Sequence, residues 1–266
     1  MSIPSEPVTV PDQVLRLARD ARAHPVAVWA NHAGGLTFRL DPMPGEDGAP
    51  AREPAGRERT RYVKWLPFPA EAGVIAGLGH EAERLRWAAA YTPVPQVLDH
   101  GQDGQAEWLV TTAIEARSAV DPRWIAEPST AIHALGVALR ALHDTLPVSS
   151  CPWTWSIEER VARVIPAKAD PDTLARLADA PDVLGPVVCH GDAGAPNTLL
   201  HDDGTWAAHV DLGRLGVADP WADLAVAARS TLWNYGPGYE HLVYEAYGVD
   251  PDPERIAYYR LLWDVT

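Results

Sequence analysis

The chain contains little cysteine and lacks long apolar runs. Two cysteines, Cys151 and Cys189, occur among its 266 residues, too few for the disulfide framework of a small secreted protein. We expect both to be buried thiols. No apolar run approaches the ~20 residues that span a membrane, and the chain does not open on a basic stretch followed by an apolar one. These absences predict a cytoplasmic protein that does not enter a membrane.

Positive charge is also scarce. Lysine and arginine number 22 against 36 aspartates and glutamates, so the formal net charge is −14. Nucleic acids and anionic membranes attract basic patches, so neither is an expected partner, whereas a cationic small molecule would be attracted. Many soluble proteins are acidic for solubility alone, and charge by itself is therefore a weak indicator. The hydrophobic fraction of 47% is ordinary for a globular protein.

The most informative part of the sequence is the stretch from 187 to 224. Two short apolar runs, at 187–189 and 207–210, each end on a turn that carries a carboxylate. The first turn has the form HGDxxxxN, with Asp192 and Asn197, and the second has the form DxG and begins at Asp211. The order of the two turns and their separation of about twenty residues, as in a hairpin, are typical of phosphoryl-transfer enzymes.

These residue types have a chemical reason. An aspartate that accepts a hydroxyl proton must lie beside the cations that neutralise the moving phosphoryl group, and Asp192 would orient that hydroxyl. Mg²⁺ prefers hard oxygen ligands, which Asn197 and Asp211 would supply. Either turn alone would be explained by backbone geometry and capping. The combination favours a functional interpretation.

The sequence resembles the aminoglycoside phosphotransferases, and most closely their 3′-phosphotransferase branch. The matching segments span nearly the whole chain: YVK at 62–64, EAERLRW at 81–87, LRALHDTLPVSSCP at 139–152, VVCHGD at 187–192, PN at 196–197, DLGRLGVADPWADLA at 211–225 and RIAYYRLLWD at 255–264.

The resemblance implies an α+β, bilobal, protein-kinase-like fold. Residues 1–113 would form a small β-rich N-lobe and residues 114–266 a larger, mainly helical C-lobe. The implied activity is transfer of a phosphoryl group from ATP, or from GTP, to a hydroxyl of an aminoglycoside antibiotic or of a biosynthetic intermediate, with the 3′-hydroxyl expected. We expect a monomer or weak dimer. A kinase for another small molecule and a non-catalytic drug-binding protein are the alternatives.

The nucleotide would be held by a strand lysine and a helix glutamate. Lys64 lies in the predicted strand 61–66 and would contact the α- and β-phosphates. The predicted helix 79–91 carries Glu81, which matches the family glutamate, and Glu83, its local competitor.

Two further backbone segments are implied in nucleotide binding. Gly34 and Gly35 end a turn that would lie over the phosphates, although a Gly-Gly hairpin turn needs no ligand. The backbone groups of Thr112 and Ile114 would pair with the base in the segment that connects the lobes.

Acidic residues would hold the amino groups of the substrate. The resemblance assigns this role to Glu158, Glu159, Asp264 and the carboxylate of Thr266, although capping explains the two glutamates equally well. Arg214 would steady the phosphates or the catalytic carboxylate, with a structural salt bridge as the alternative.

The substrate half departs from the family pattern at several positions. Trp233 and Asn234 stand where relatives often carry consecutive acids, and Trp263 replaces one acid near residue 266. Residues 154–185 replace a longer helical insertion. Because of these changes, the sequence does not determine which molecule accepts the phosphoryl group.

The other periodic segments of the sequence predict helices and strands that serve the fold rather than the chemistry. Helical periodicity and strand-like runs are found at the following residues: helices at 11–22, 128–146 and 253–263, and strands at 26–29, 36–40 and 108–111. Residues 41–60 are rich in proline, glycine and charge and predict a long exposed loop.

Overall fold

The computed structural model describes residues 7–31, 34–43, 60–68, 77–183 and 185–266. Contacts within the chain divide it into two compact units. Unit 1 comprises Met1–Arg86 and Pro95–Ile114, and unit 2 comprises Trp87–Val94 and Glu115–Thr266.

The segment Trp87–Val94 belongs to unit 2, whereas the sequence predicts it in the first lobe. Its contacts explain the difference. The Trp87 ring packs edge-on against Trp153, with 5.9 Å between ring centroids. The backbone amide of His209 donates to the carbonyl of Pro93 at 3.3 Å.

Unit 1 is built on a five-stranded antiparallel sheet in the order β1-β2-β3-β5-β4. The strands are β1 (Ala23–Ala30), β2 (Leu36–Pro42), β3 (Arg61–Pro67), β4 (Val97–Gln102) and β5 (Ala106–Thr112). Two helices begin in this unit: α1 (Asp12–Asp20) and α2 (Leu78–Ala88), whose last two residues belong to unit 2.

Helix α1 is anchored by its apolar face. Val14 and Ala18, one turn apart, are buried in the same cluster as Phe38 and Val63 of the sheet. Burying a large apolar side chain contributes about 1.5–3 kcal/mol. Packing therefore holds this short helix, which would be marginal alone. The predicted amphipathic helix is confirmed, and it begins directly after Pro11.

Strand β4 has no counterpart in the sequence analysis. Among the described strands it pairs only with β5, at the edge of the sheet, and it exposes Leu98, Asp99 and His100. Because so much of β4 is exposed to solvent, its residues do not alternate between apolar and polar. The strand therefore lacks the pattern by which strands are predicted from sequence. Most of the loop predicted at 41–60 lies outside the described residues.

Unit 2 is mainly helical. Its helices are α3 (Pro122–Ile125), α4 (Pro128–Thr145), α5 (Ile157–Val161), α6 (Pro171–Ala178), α7 (Trp221–Tyr235), α8 (Glu240–Tyr247) and α9 (Pro253–Val265). Its strands are β6 (Arg117–Ser118), β7 (Val187–Cys189), β8 (Thr198–Leu200), β9 (Trp206–His209) and β10 (Gly216–Ala218). They form two small sheets, β10-β7 and β6-β8-β9.

Helix α4 is the central helix of unit 2, and its predicted apolar face is buried throughout. It approaches α8 so closely that a Cβ atom at Gly136 would lie 2.6 Å from the carbonyl oxygen of Val243. A sheet-based unit 1 and a helical unit 2 confirm the predicted α+β class. Of the helices that the structure describes, none combines the length and the apolarity that crossing a bilayer would require.

Candidate active site

The loop between β7 and β8 carries the predicted catalytic aspartate. Two donors close this loop onto the backbone carbonyl of Asp192: the amide of Gly194 at 2.8 Å and the side-chain Nδ2 of Asn197 at 2.9 Å. The structure therefore brings Asp192 and Asn197 together. Because Asn197 donates through its nitrogen, its Oδ1 is the atom with which it would bind a cation.

Gly191 makes the sharp turn in this loop possible. Its φ of +82° lies in the left-handed region, and a Cβ atom there would lie 2.2 Å from the carbonyl oxygen of Arg214. Only glycine satisfies both conditions. The turn therefore depends on a close approach of two backbone segments.

Asp223, on helix α7, braces the catalytic loop. This carboxylate is fully buried and accepts hydrogen bonds from the backbone amides of His190 at 2.6 Å and Gly191 at 2.9 Å, and from His143 Nε2 at 3.1 Å. Burial opposes its ionisation, but the hydrogen bonds from His143 and Gly191 hold the pKa of Asp223 below its ordinary value. Asp223 therefore fixes the backbone at His190 and Gly191.

His190 links the two predicted turns. Its Nδ1 accepts from the amide of Asp192 at 3.2 Å, so its Nε2 carries the proton that it donates to the carbonyl of Val210 at 3.0 Å. His190 therefore supports the loop through hydrogen bonds. The hairpin between the turns is β8-β9, whereas β7 pairs with β10.

Asp211 adopts an unusual backbone conformation, with a φ of +63°. Non-glycine residues in this region are uncommon and cluster at functional sites. Burial raises the pKa of Asp192, the cation of Arg214 lowers it, and the charge of Asp211 raises it. The carboxylate of Asp211 and the amide oxygen of Asn197 are hard donors, so the residues present are chemically suited to Mg²⁺.

A second group of possible metal ligands occurs among the described residues, but its members form hydrogen bonds that stabilise the fold. Atoms of His143, Cys189 and Asp223 lie within 4.8 Å of one another. Burial raises the pKa of the Cys189 thiol, which therefore stays protonated and donates to the carbonyl of Asp219 at 3.3 Å. The hydrogen bonds that Asp223 accepts account for its buried charge.

Helix α7 holds the far end of the loop through residues that sequence reasoning missed. The amide of Ala195 donates to Ser230 Oγ at 2.8 Å, and Asn234 Nδ2 donates to the same oxygen at 3.0 Å. Ser230 lies 35 residues beyond Ala195, so no local pattern indicates the contact.

A buried ion pair fastens the end of the second turn to α9. Arg255 Nη1 donates to Asp219 Oδ2 at 2.7 Å, and Arg255 Nη2 donates to the carbonyl of Asp182 at 2.7 Å. Asp219 also accepts a hydrogen bond from the amide of Trp221, the first residue of α7, at 2.8 Å.

In unit 1, Lys64 on β3 and Glu81 on α2 form an ion pair. Lys64 Nζ donates to the two carboxylate oxygens of Glu81 at 2.7 and 2.9 Å. The Glu81 side chain is 6% exposed, whereas Glu83 is exposed on the helix surface and lies near His80. The geometry thus favours Glu81 over Glu83 as the partner, and contact with phosphates stays a prediction.

The other predicted nucleotide contacts already take part in the structure of unit 1. The amide of Gly35 donates to Asn31 Oδ1 at 2.7 Å, so it is used within the turn, and Gly34 has a φ of +76°. The amide of Thr112 donates to the carbonyl of Gln96 at 2.9 Å, so this amide is already used, and contact of Thr112 with a base stays a prediction. Ile114 ends unit 1.

Comparison with known proteins places this geometry in a family. The model for the phosphotransferase enzyme family matches residues 55–259. The chain belongs to this family. It is 36% identical to an aminoglycoside 3′-phosphotransferase of Streptomyces fradiae over 89% of this chain and 92% of the relative. The recognition made from the sequence is thereby confirmed.

Solved structures of family members share the fold. The crystal structure of an aminoglycoside 3′-phosphotransferase of type VIII superposes with a TM-score of 0.72 at 28% identity, covering 96% of this chain and 98% of the other. A 3″-phosphotransferase from Streptomyces rimosus, in complex with ADP and streptomycin, superposes with a TM-score of 0.64 at 27% identity, covering 95% and 97%.

Two of the acids that the family resemblance assigns to substrate amines, Glu159 and Asp264, pair with arginines of unit 2. Arg229 Nη1 donates to Asp264 Oδ1 at 2.7 Å, and Arg163 pairs with Glu159 one helical turn earlier. Glu158 is exposed, and a hydrogen bond from its own backbone amide, followed by one from Ser156, lowers its pKa. The Thr266 hydroxyl donates to the carbonyl of Leu262 at 2.7 Å.

Four arginines and three tryptophans of unit 2 form cation–π contacts, in one group around Trp155 and in a separate Arg229–Trp233 pair, and we call them together the arginine–tryptophan array. Its members are Arg160, Arg163, Arg214, Arg229, Trp155, Trp233 and Trp263. Guanidinium carbons of three of the arginines lie 5.1 to 5.8 Å from the centre of the Trp155 ring. Arg214 also lies 5.1 Å from Trp263, and Arg229 lies 5.0 Å from Trp233.

Arg160 is the buried member of this array. Its side chain is fully buried, and none of its three nitrogens has a hydrogen-bond partner among the residues that the structure describes. Burial and the neighbouring charge of Arg214 lower the pKa of Arg160 to about 10. The group therefore stays cationic at neutral pH, and it stacks on the ring of Trp155.

Proposed function

We propose that the protein catalyses the ATP-dependent phosphorylation of an aminoglycoside at its 3′-hydroxyl, in resistance or in antibiotic biosynthesis. The observation that carries the proposal is the braced loop that holds Asp192 and Asn197, together with the 36% identity to an aminoglycoside 3′-phosphotransferase. ATP is the proposed donor because a relative of the same fold binds ADP.

Asp192 acts on the acceptor. Its carboxylate accepts a hydrogen bond from the sugar hydroxyl and takes the proton as the oxygen bonds to the γ-phosphorus. The bond from that phosphorus to the β-phosphate oxygen breaks, and ADP leaves with the electron pair. The brace from Asp223 fixes the loop, so that the carboxylate does not have to be ordered when substrate binds.

The remaining residues bind and orient the nucleotide. Lys64, positioned by Glu81, holds the α- and β-phosphates. Asn197 and Asp211 would hold Mg²⁺, which neutralises charge on the phosphates when bound.

The direct test is Mg²⁺-dependent ATP turnover with kanamycin and with its 3′-deoxy counterpart. We expect turnover with the first and none with the second, and loss of turnover in Asp192→Asn. Phosphorylation of the 3′-deoxy compound would show that another hydroxyl is the acceptor. Absence of turnover across an aminoglycoside panel would contradict the function.

A second candidate is a kinase of the same fold that acts on a different small molecule. It is favoured by the aromatic and amide side chains of Trp233 and Asn234, where acids would suit a polyamine. Turnover of a non-aminoglycoside alcohol, with none of kanamycin, would select this candidate.

A further inference from the structure

Arg214 lies against the catalytic loop. A Cβ atom at Gly191 would lie 2.2 Å from the carbonyl oxygen of Arg214 and 2.6 Å from its Cβ atom, so the arginine side chain begins beside the residue that precedes Asp192. Burial raises the pKa of Asp192, and the cation of Arg214 is the largest of the influences that lower it. The structure therefore places a positive charge close to the proposed proton acceptor.

This positive charge is held by aromatic rings. A structural salt bridge, the alternative interpretation of Arg214, is not found among the residues that the structure describes. The guanidinium carbon of Arg214 lies 5.1 Å from the centre of the Trp263 ring in α9 and 5.8 Å from that of the Trp155 ring, which precedes α5. At such distances a ring face attracts a cation. Unlike a carboxylate, the ring carries no net charge, so the charge of Arg214 is not cancelled.

A second cation near the Trp155 ring works against this position. The guanidinium carbon of the buried Arg160 lies 5.1 Å from the centre of the same ring. Burial lowers the pKa of Arg160, and the charge of Arg214 lowers it further, because the two cations repel each other. Repulsion favours conformations that move the long Arg214 side chain away. The attraction of the Trp263 ring opposes that movement.

We propose that Trp263 is a positioning residue, which together with Trp155 holds the guanidinium of Arg214 beside Asp192 without neutralising it. This inference rests on the proposed function. During phosphoryl transfer the Asp192 carboxylate, the attacking oxygen and the phosphoryl oxygens come together, so negative charge collects beside the loop. A cation that is already in place stabilises that charge without first having to be reoriented.

The test replaces the Trp263 ring in two ways. Trp263→Leu keeps apolar bulk and removes the ring face, whereas Trp263→Phe keeps an aromatic face. We expect Trp263→Leu to lower kcat for kanamycin about fivefold, with less than about a twofold change in KM for ATP. Trp263→Phe should retain most of the activity. Trp263→Met is a second variant without a ring and should match Trp263→Leu. Thermal unfolding of each variant is measured alongside.

A double-mutant cycle shows whether Trp263 acts through Arg214. Arg214→Gln removes the cation and should lower kcat about tenfold, the effect of one unit charge acting over several ångströms near a protein surface. Adding Trp263→Leu to Arg214→Gln should cost nothing further, because the ring then has no cation to hold. Independent effects would instead multiply to about fiftyfold.

Arg123→Gln is the control variant. It breaks a contact of the same kind elsewhere in unit 2, where the guanidinium carbon of Arg123 lies 4.6 Å from the centre of the Trp124 ring. We expect kcat and both KM values to stay unchanged, since this contact lies in α3, outside the proposed site.

The outcomes separate this inference from the proposed function. Full activity in Trp263→Leu and Trp263→Met, an equal loss in Trp263→Phe, or losses that multiply in the double variant would overturn the positioning role and leave phosphoryl transfer standing. A rise in KM for ATP with kcat unchanged would also overturn it, because the ring would then serve nucleotide binding. Lack of turnover of an aminoglycoside panel by the wild-type protein would overturn the proposed function and this inference with it.

Discussion

The catalytic loop and the arginine–tryptophan array differ in how their buried charged groups are stabilised. In the loop, the buried carboxylate of Asp223 accepts from three donors, and the buried Arg255 has both Asp219 and a carbonyl as partners. In the array, the buried Arg160 has a tryptophan face and no hydrogen-bond partner among the described residues.

The difference indicates how each region works. Phosphoryl transfer depends on positions held within fractions of an ångström, so the loop is fixed by several hydrogen bonds at once. The contacts of the array are between side chains, so we expect its arginines to be replaceable with little change to the backbone. We therefore expect substitutions in the loop to cost far more than substitutions in the array.

The largest effect should follow from Asp192→Asn, which removes the proton acceptor and keeps the shape of the loop. We expect kcat to fall by about 10²- to 10⁴-fold with little change in the thermal unfolding temperature. Steady-state kinetics on the purified variant measures it. Asp203→Asn, in the exposed turn of the β8-β9 hairpin, is the matched control and should keep full activity.

Asp223→Asn should be the next largest, because it leaves buried donors facing an amide nitrogen. We expect a loss of roughly 3–5 kcal/mol in the free energy of unfolding, measured by urea denaturation. The control is Asp144→Asn, which breaks an exposed pair with Arg140 and should cost at most about 1 kcal/mol. Equal losses in the two variants would show that the hydrogen bonds of Asp223 contribute no more to stability than an exposed ion pair does.

Gly191→Ala should cost about 3 kcal/mol, from the left-handed backbone and from the clash with the carbonyl of Arg214. Gly248→Ala separates the two causes, because Gly248 has a φ of +88° and open space at its Cβ position. We expect the control to lose only about 1 kcal/mol. If thermal denaturation shows similar losses of stability in the two variants, the positive φ alone accounts for the requirement for glycine at position 191.

The smallest effect, and one of opposite sign, should follow from Arg160→Met. Removing a buried cation without hydrogen bonds should raise the free energy of unfolding by about 1 kcal/mol. Arg255→Met should lower it, because Asp219 would then be buried without its cation. A marked loss of stability in Arg160→Met, close to that in Arg255→Met, would remove the contrast between the two regions.

Much of the site was accessible to sequence reasoning because its signals are local. The spacing of Asp192, Asn197 and Asp211 reflects one loop and one turn of fixed geometry. Helix α4 was predicted to within one residue of its observed end, since its apolar face repeats with the helical period. The edge strand β4 and the supports from Ser230 and Asn234 could not be predicted, because no periodic pattern encodes them.

The sequence alone determined the phosphotransferase family and the residues proposed for chemistry, because short motifs with fixed spacing carry both. Only the tertiary structure decided which charges meet. It selected Glu81 over Glu83 for Lys64, buried Arg160 without a hydrogen-bond partner among the described residues, and paired Asp264 with Arg229 across 35 residues of chain. Ion pairing depends on distances between side chains, and helix packing sets those distances for residues far apart in the sequence.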